Sequence, residues 1–75
     1  MSADIPTSLE NHKNKLLLLV MKEKRKVRGI LLDFDVHMNL TLGDAEDISN
    51  SRSEKIGKII VRGNNIFAIS LSEEK

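Results

Sequence analysis

The apolar positions of this chain fall in short runs broken by polar or charged connections. Leu16–Met21 is continuously apolar, and beside the extended segments that follow it reads as a buried strand. Residues 22–26 are charged and contain neither Gly nor Pro, the pattern of a hairpin connection. Residues 27–36 form a second extended segment of mixed phase. Val27 and Leu31 lie on one parity, whereas Ile30, Leu32, Phe34 and Val36 lie on the other. Such a switch predicts a strand that bends and buries different faces along its length, with Gly29 as the natural place for the bend. Met38, Leu40 and Leu42 then alternate with Asn39 and Thr41, the signature of a half-buried strand. Gly43-Asp44 marks a break, and residues 44–55, rich in Asp, Glu, Ser, Asn and Arg, predict a solvated connection into which strand ends intrude. Residues 56–61 and Ile66–Leu71 are the last two strands. Arg62-Gly63-Asn64-Asn65 joins them, and its glycine and asparagines permit the positive φ that a tight connection requires.

Ahead of the strands, Thr7-Ser8-Leu9-Glu10 fits a capping box with Pro6 just before it, which predicts a helix of one to three turns over about residues 6–14. Leu9 is its only strong apolar anchor, so this helix is expected to lie across the end of a sheet. Residues 72–75 form a short charged tail. The sum is a mainly β fold in a single domain over residues 1–75: a short N-terminal helix, then five strands over about residues 15–71 in a strongly bent antiparallel sheet or small open barrel. An open barrel leaves two edge strands with unpaired backbone groups. Pairing between identical copies would satisfy them, and such head-to-tail contacts close into a ring where the rotation permits.

Composition sharpens that expectation. With 75 residues, 40% of them hydrophobic, the chain is long enough for one domain with a thin core. It contains no cysteine, so neither disulfides nor thiolate metal sites reinforce it, and oligomerisation is the leading way to complete the fold. The N-terminus lacks the basic stretch and apolar run of a signal peptide, and no apolar segment approaches the ~20 residues needed to span a bilayer. A cytoplasmic location without membrane association is expected. Twelve Lys plus Arg against eleven Asp plus Glu leave a formal charge of +1, so any case for nucleic acid rests on local placement.

That placement is found in Asp35-Val36-His37-Met38-Asn39 and in Arg62-Gly63. Read as a strand, the first segment sets an acid, an imidazole and an amide on one side of an extended backbone. The second adds a guanidinium beside a glycine. A flat ring, a flat cation and an amide that both donates and accepts hydrogen bonds suit a planar, polar, anionic ligand such as a nucleobase on a phosphate chain. Other readings fit less well. Asp35 and His37 as a metal pair lack an obvious third ligand beyond His12, and as a catalytic dyad they lack a nucleophile. Neither cofactor, metal nor enzymatic activity is therefore expected. Asn39 alone could simply satisfy backbone groups, His12 could be a polar face residue of the helix, and residues 22–26 could be a solvated hairpin tip.

Gly29, Leu31, Phe34, Asp35, Met38, Asn39, Leu42 and Asp44, followed after a polar connection by Ile60-Val61-Arg62-Gly63-Asn64-Asn65-Ile66, stand in the order and spacing of two Sm motifs. The chain resembles an Sm-like (LSm) protein of the archaeal type from the N-terminal helix to Leu71. The resemblance implies a helix-capped, five-stranded bent sheet whose fourth and fifth strands pair between neighbours in rings of six or seven subunits, with seven favoured. It also implies binding of uridine-rich single-stranded RNA around the central pore. On that basis His37 and Arg62 would sandwich a base and Asn39 would bond its Watson–Crick edge. Asp35 would hold the Asn39 amide, and Gly63 would let the backbone come close. Asp33 departs from the family's usual small or neutral residue and adds a negative charge beside the second motif's partner strand.

Magnitudes tie that chemistry to assembly. Stacking one base is worth roughly 1–3 kcal/mol, less than the ~4 kcal/mol of even a millimolar site. One subunit would bind negligibly, whereas several pockets around a ring make later contacts intramolecular. The expected function is thus an RNA scaffold or chaperone in ribonucleoprotein complexes, with identical subunits, U-rich RNA and other RNA-processing proteins as partners. A ring that mainly organises protein partners, with vestigial RNA sites, is the alternative. Phosphate neutralisation is assigned mainly to Arg62, with Lys58 as a weaker candidate.

Overall fold

In the computed structural model, which describes residues 9–71, one antiparallel sheet accounts for most of the chain. Its strands are β1 (Leu16–Met21), β2 (Arg25–Phe34), β3 (Leu40–Asp47), β4 (Glu54–Val61) and β5 (Ile66–Leu71), in the spatial order β4-β3-β2-β1-β5. The two edge strands are therefore β4 and β5. The helix expected over residues 6–14 lies partly outside the described residues. Within them Leu9 and Glu10 are helical and lead into a turn, and Leu9 is buried in the core as its lone apolar anchor required. The charged tail also lies outside.

Alternation in the sequence becomes a core because every second side chain of a strand shares a face. Leu17 and Leu19 of β1, Val27 and Leu31 of β2, Leu40 and Leu42 of β3, and Val61 of β4 are buried together. The mixed phase of residues 27–36 has the anticipated cause, a bent strand. The β2–β3 register shifts once across Gly29 and again between Leu31 and Asp33. Past the second shift Phe34 packs against the core from a parity opposite to that of Leu31. A Cβ on Gly29 would stand 3.1 Å from Leu42 Cβ and 3.3 Å from Ala45 Cβ, so glycine there lets β2 and β3 lie close at the bend.

Three expectations need correction. Gly43-Asp44 is not a break: β3 runs on to Asp47, and Asp44 takes a φ of 48° as the centre of a bulge where the pairing with β4 jumps from Leu42 to Ala45. One extra residue reverses the parity, which is why Ala45 is buried after Leu40 and Leu42. Consequently the solvated connection shrinks from residues 44–55 to residues 48–53, with strand ends intruding as foreseen. Residues 22–26 do form the β1–β2 hairpin connection, but β2 already begins at Arg25, and Glu23 and Lys24 supply the positive φ of the turn without any glycine. Finally, β2 ends at Phe34 and β3 begins at Leu40, so residues 35–39 are a loop and not strand.

The free ends of β2 and β3 are tied by Arg28 to Glu46 at 2.8 Å and Arg25 to Asp47 at 2.9 Å, while the Lys26 N–H donates to the Ser49 hydroxyl. These pairs lie at the surface, partly covered and open to solvent, where an ion pair contributes about 0–1 kcal/mol, so stability resides in the leucine core. Leu31→Ala, at a fully buried position, should lower unfolding free energy by about 2–5 kcal/mol. Val36→Ala, at a side chain 81% exposed, should change it by less than about 0.5 kcal/mol. Chemical denaturation of the two variants side by side checks the pair.

Candidate nucleic-acid interface

Asp35, His37 and Asn39 come together by a mechanism other than shared strand parity. The β2–β3 connection is a tight loop in which Met38 adopts a φ of 67° and donates its N–H to the Asp35 carbonyl at 3.0 Å. The Asp35 carboxylate is the hub. One oxygen accepts the backbone N–H groups of His37 and Asn39, each at 2.9 Å, and the other accepts the Asn39 side-chain amide at 3.0 Å. An aspartate bonding backbone donors a few residues ahead is the standard way such a side chain shapes a turn. Three donors converging on one carboxylate favour its charged form. The Asn39 backbone N–H contributes most, then the Asn39 amide, with His37 adding to both, and together they hold Asp35 below the usual carboxylate range.

The second connection, Arg62-Gly63-Asn64-Asn65, also differs from expectation. Gly63–Asn65 is a 3-10 turn closed by the Asn65 N–H on the Arg62 carbonyl, and among the described glycines only Gly57 has a positive φ. Gly63 is glycine for a different reason. A Cβ there would run into the carbonyl oxygen of His37 and come within 2.9 Å of that of Met38. The close approach is thus between the two loops. It is sealed by the Gly63 N–H, which donates to Asn39 Oδ1 at 2.8 Å.

This bond settles which way the Asn39 amide points. A backbone N–H can face only the oxygen end, and a carboxylate only the nitrogen end, so Gly63 and Asp35 fix the orientation from opposite sides. One N–H and one oxygen lone pair of that amide remain available, since a primary amide carries two of each. His37 and Arg62, both exposed, belong one to each of the two loops that meet at this half-buried amide. All five residues singled out from the sequence therefore belong to two connections joined at one hydrogen bond. Met38 was missed as a site residue. Its positive φ closes the loop, and nothing in its side chain announces that role.

A family model, the LSM domain, matches residues 7–71. The chain belongs to the LSM family. An snRNP Sm-like protein of Pyrococcus horikoshii is 40% identical over 62 residues, covering 81% of this chain and 83% of that one. The SmAP1 heptamer of P. aerophilum superposes with a TM-score of 0.91 at 35% identity, covering 99% of this chain and 100% of that one. An Sm protein of Pyrococcus abyssi, solved in complex with a uridine heptamer, gives 0.84 at 33% identity, covering 91% and 97%. LSM proteins are RNA-binding proteins and not enzymes. No helix among the described residues is long and apolar enough to cross a membrane.

Two outcomes test this geometry. Because the folded-state pKa of Asp35 lies below its ordinary value, the loop bonds are fully present at neutral pH and through the ordinary carboxylate range. They are lost only as pH falls through the lowered value, below that range. The Asn39 side-chain amide resonances in an NMR pH titration should hold their positions until then, whereas in Asp35→Asn they should differ at every pH. Gly63→Ala should separate the loops, seen as displaced His37 and Met38 amide signals with those of the Leu17–Leu19 core unmoved.

Proposed function

We propose that seven copies of this chain close into a ring in the cytoplasm and bind U-rich single-stranded RNA around the central pore, as a scaffold or chaperone in ribonucleoprotein complexes. The observation that carries this reading is the Asn39 amide, locked at both ends with one donor and one acceptor left over. A uracil edge presents a carbonyl oxygen beside an imino N–H and matches that remainder. A base that offers donor and acceptor in the opposite order would need the amide to flip, which Asp35 and Gly63 oppose.

In this reading the His37 ring and the Arg62 guanidinium hold the base between them, and Arg62 adds its charge for the phosphate. Lys58 is a weaker source of positive charge. Gly63 brings the two loops together, and Asp35 positions Asn39 without touching the ligand. The Sm proteins of P. aerophilum, a heptamer, and P. abyssi, bound to a uridine heptamer, support the ring and the ligand class. The sheet itself supports assembly, since β4 and β5 are open edges that carry exposed Ile60 and Phe67. Each pocket contributes about 1–3 kcal/mol, so affinity comes from adding pockets around the ring.

Fluorescence titrations of oligouridine and oligoadenosine at several salt concentrations test the proposal. Uridine should bind more tightly, and affinity should fall as salt rises. Asn39→Ala should remove the uridine preference while native mass spectrometry still shows the ring, and Arg62→Ala should weaken both oligonucleotides by about 1–3 kcal/mol per occupied pocket. Equal or absent binding of both homopolymers by the unaltered ring would instead favour a protein-organising scaffold.

A further inference from the structure

The segment that leads into β1 is stapled to β2 beside the site. The Asn14 N–H donates to the Leu31 carbonyl at 2.7 Å and the Leu31 N–H to the Lys15 carbonyl at 3.0 Å, while Asn14 turns the chain with a φ of 69°. His12 lines the same groove as Met38 and Gly63, so this segment borders both loops of the site. Lys13 is the cation it brings there. Its ammonium stands 4.0 Å from Asp33 Oδ1 and 6.0 Å from the centre of the Phe34 ring. Asp33 and Phe34 immediately precede Asp35, the hub of the first loop.

This ion pair is loose in a way that leaves the lysine usable. Asp33 Oδ1 already accepts the Phe34 N–H at 2.9 Å, and 4.0 Å is too long for a hydrogen bond, so Lys13 is held to Asp33 by charge alone. The Asp33 side chain is 72% exposed and that of Lys13 37%, which leaves the contact open to water, where such a pair is weak and screened by salt. Asp33 nevertheless acts on the site. Two residues of extended chain span at most about 7 Å, within the Debye length of about 8 Å at physiological salt, so its charge is felt at the Asp35 loop. Asp33 also lines one surface hollow with Lys58 and Thr41, so the same carboxylate offsets a second lysine.

We propose that Asp33 is an internal counter-ion that withholds Lys13 from the ligand, and that a phosphate of the bound strand takes its place beside the ammonium. This rests on the RNA reading above and deepens it: Lys13 becomes a further phosphate contact, and Asp33 the residue that sets affinity and salt dependence. The exchange swaps one anion for another and leaves no charge unpaired in the protein interior. A phosphate oxygen at hydrogen-bond distance gives Lys13 the charge-assisted bond that Asp33 does not. Releasing Asp33 costs little, because its carboxylate is already mostly in water and keeps its bond to the Phe34 N–H. What remains is competition. Asp33 opposes the phosphate most strongly where screening is weakest, so it flattens the salt dependence that Lys13 and Arg62 would otherwise produce.

The test compares the unaltered ring with Asp33→Asn, Lys13→Gln and the double variant, by titration with oligouridine from low to high salt while native mass spectrometry follows assembly. Asparagine keeps an oxygen for the Phe34 N–H and removes only the charge. Asp33→Asn should bind several-fold more tightly at low salt, and its log affinity should fall more steeply with log salt, by about 0.7 for each phosphate newly held. Lys13→Gln should bind more weakly with a shallower slope, Lys13→Arg should restore that slope, and the double variant should show little of the Asp33→Asn gain. An Asp33 that merely anchors the N-terminal segment would change thermal stability and leave the slope unmoved, which overturns the proposal. A gain of equal size with and without Lys13 overturns it too, since Asp33 would then repel the strand directly. Both of those results leave the uridine preference of the unaltered ring standing, whereas absence of that preference overturns the RNA reading and this proposal together.

Discussion

The hydrogen bond from the Gly63 N–H to the Asn39 side-chain oxygen is the constraint on which the site depends. It joins two connections that lie two dozen residues apart in sequence and belong to different strand pairs, and it exists only because Gly63 has no Cβ to strike the His37 carbonyl. Removing either partner would leave the two loops held together only through the strands that carry them. The Asp35 carboxylate completes the arrangement by collecting the remaining donors of its loop. Three short-range bonds and one long-range bond therefore stand in for the disulfide or thiolate–metal cross-link that a chain without cysteine cannot form.

The sheet supplies what those bonds need, namely two loops brought to one place. Pairing of Leu40 with Val61 and with Phe34 sets the end of β2, the start of β3 and the end of β4 side by side, and the loops project from that point. Leucines fully buried at positions 31, 40 and 42 make the base rigid. Under the proposed function rigidity matters, because an amide that reads a base loses its selectivity when it moves by about an ångström while stacking barely changes.

Much of this was legible in the sequence. Strand identity followed from alternation, and Gly29 was rightly taken as a bend. The five candidate residues singled out by motif order and spacing lie in the two connections that meet at Gly63, and the Asp35 bond to the Asn39 amide has the anticipated form. What the one-dimensional pattern could not supply was local geometry. Residues 35–39 alternate as a strand does, yet the carboxylate of Asp35 offers their N–H groups a better partner than a neighbouring strand would, so the backbone turns. Residue 63 looked like a turn glycine, but its reason lies in a carbonyl two dozen residues away, which no local window contains. The bulge at Asp44 escaped notice because its effect, a change of parity at Ala45, shows only once the burial of Leu40, Leu42 and Ala45 is known together.

That bulge also bears on how the protein tolerates change in length. Since one additional residue at Asp44 decides which way every later side chain of β3 faces, deleting a single amino acid there would turn Ala45 outward and bring charge toward the interior. Adding one would throw the pairing with β4 out of step. Residues 50–53, wholly exposed and outside any strand, carry no such phase. Insertions and deletions within this architecture should therefore accumulate in that short stretch, which becomes the natural place to graft a tag or a loop.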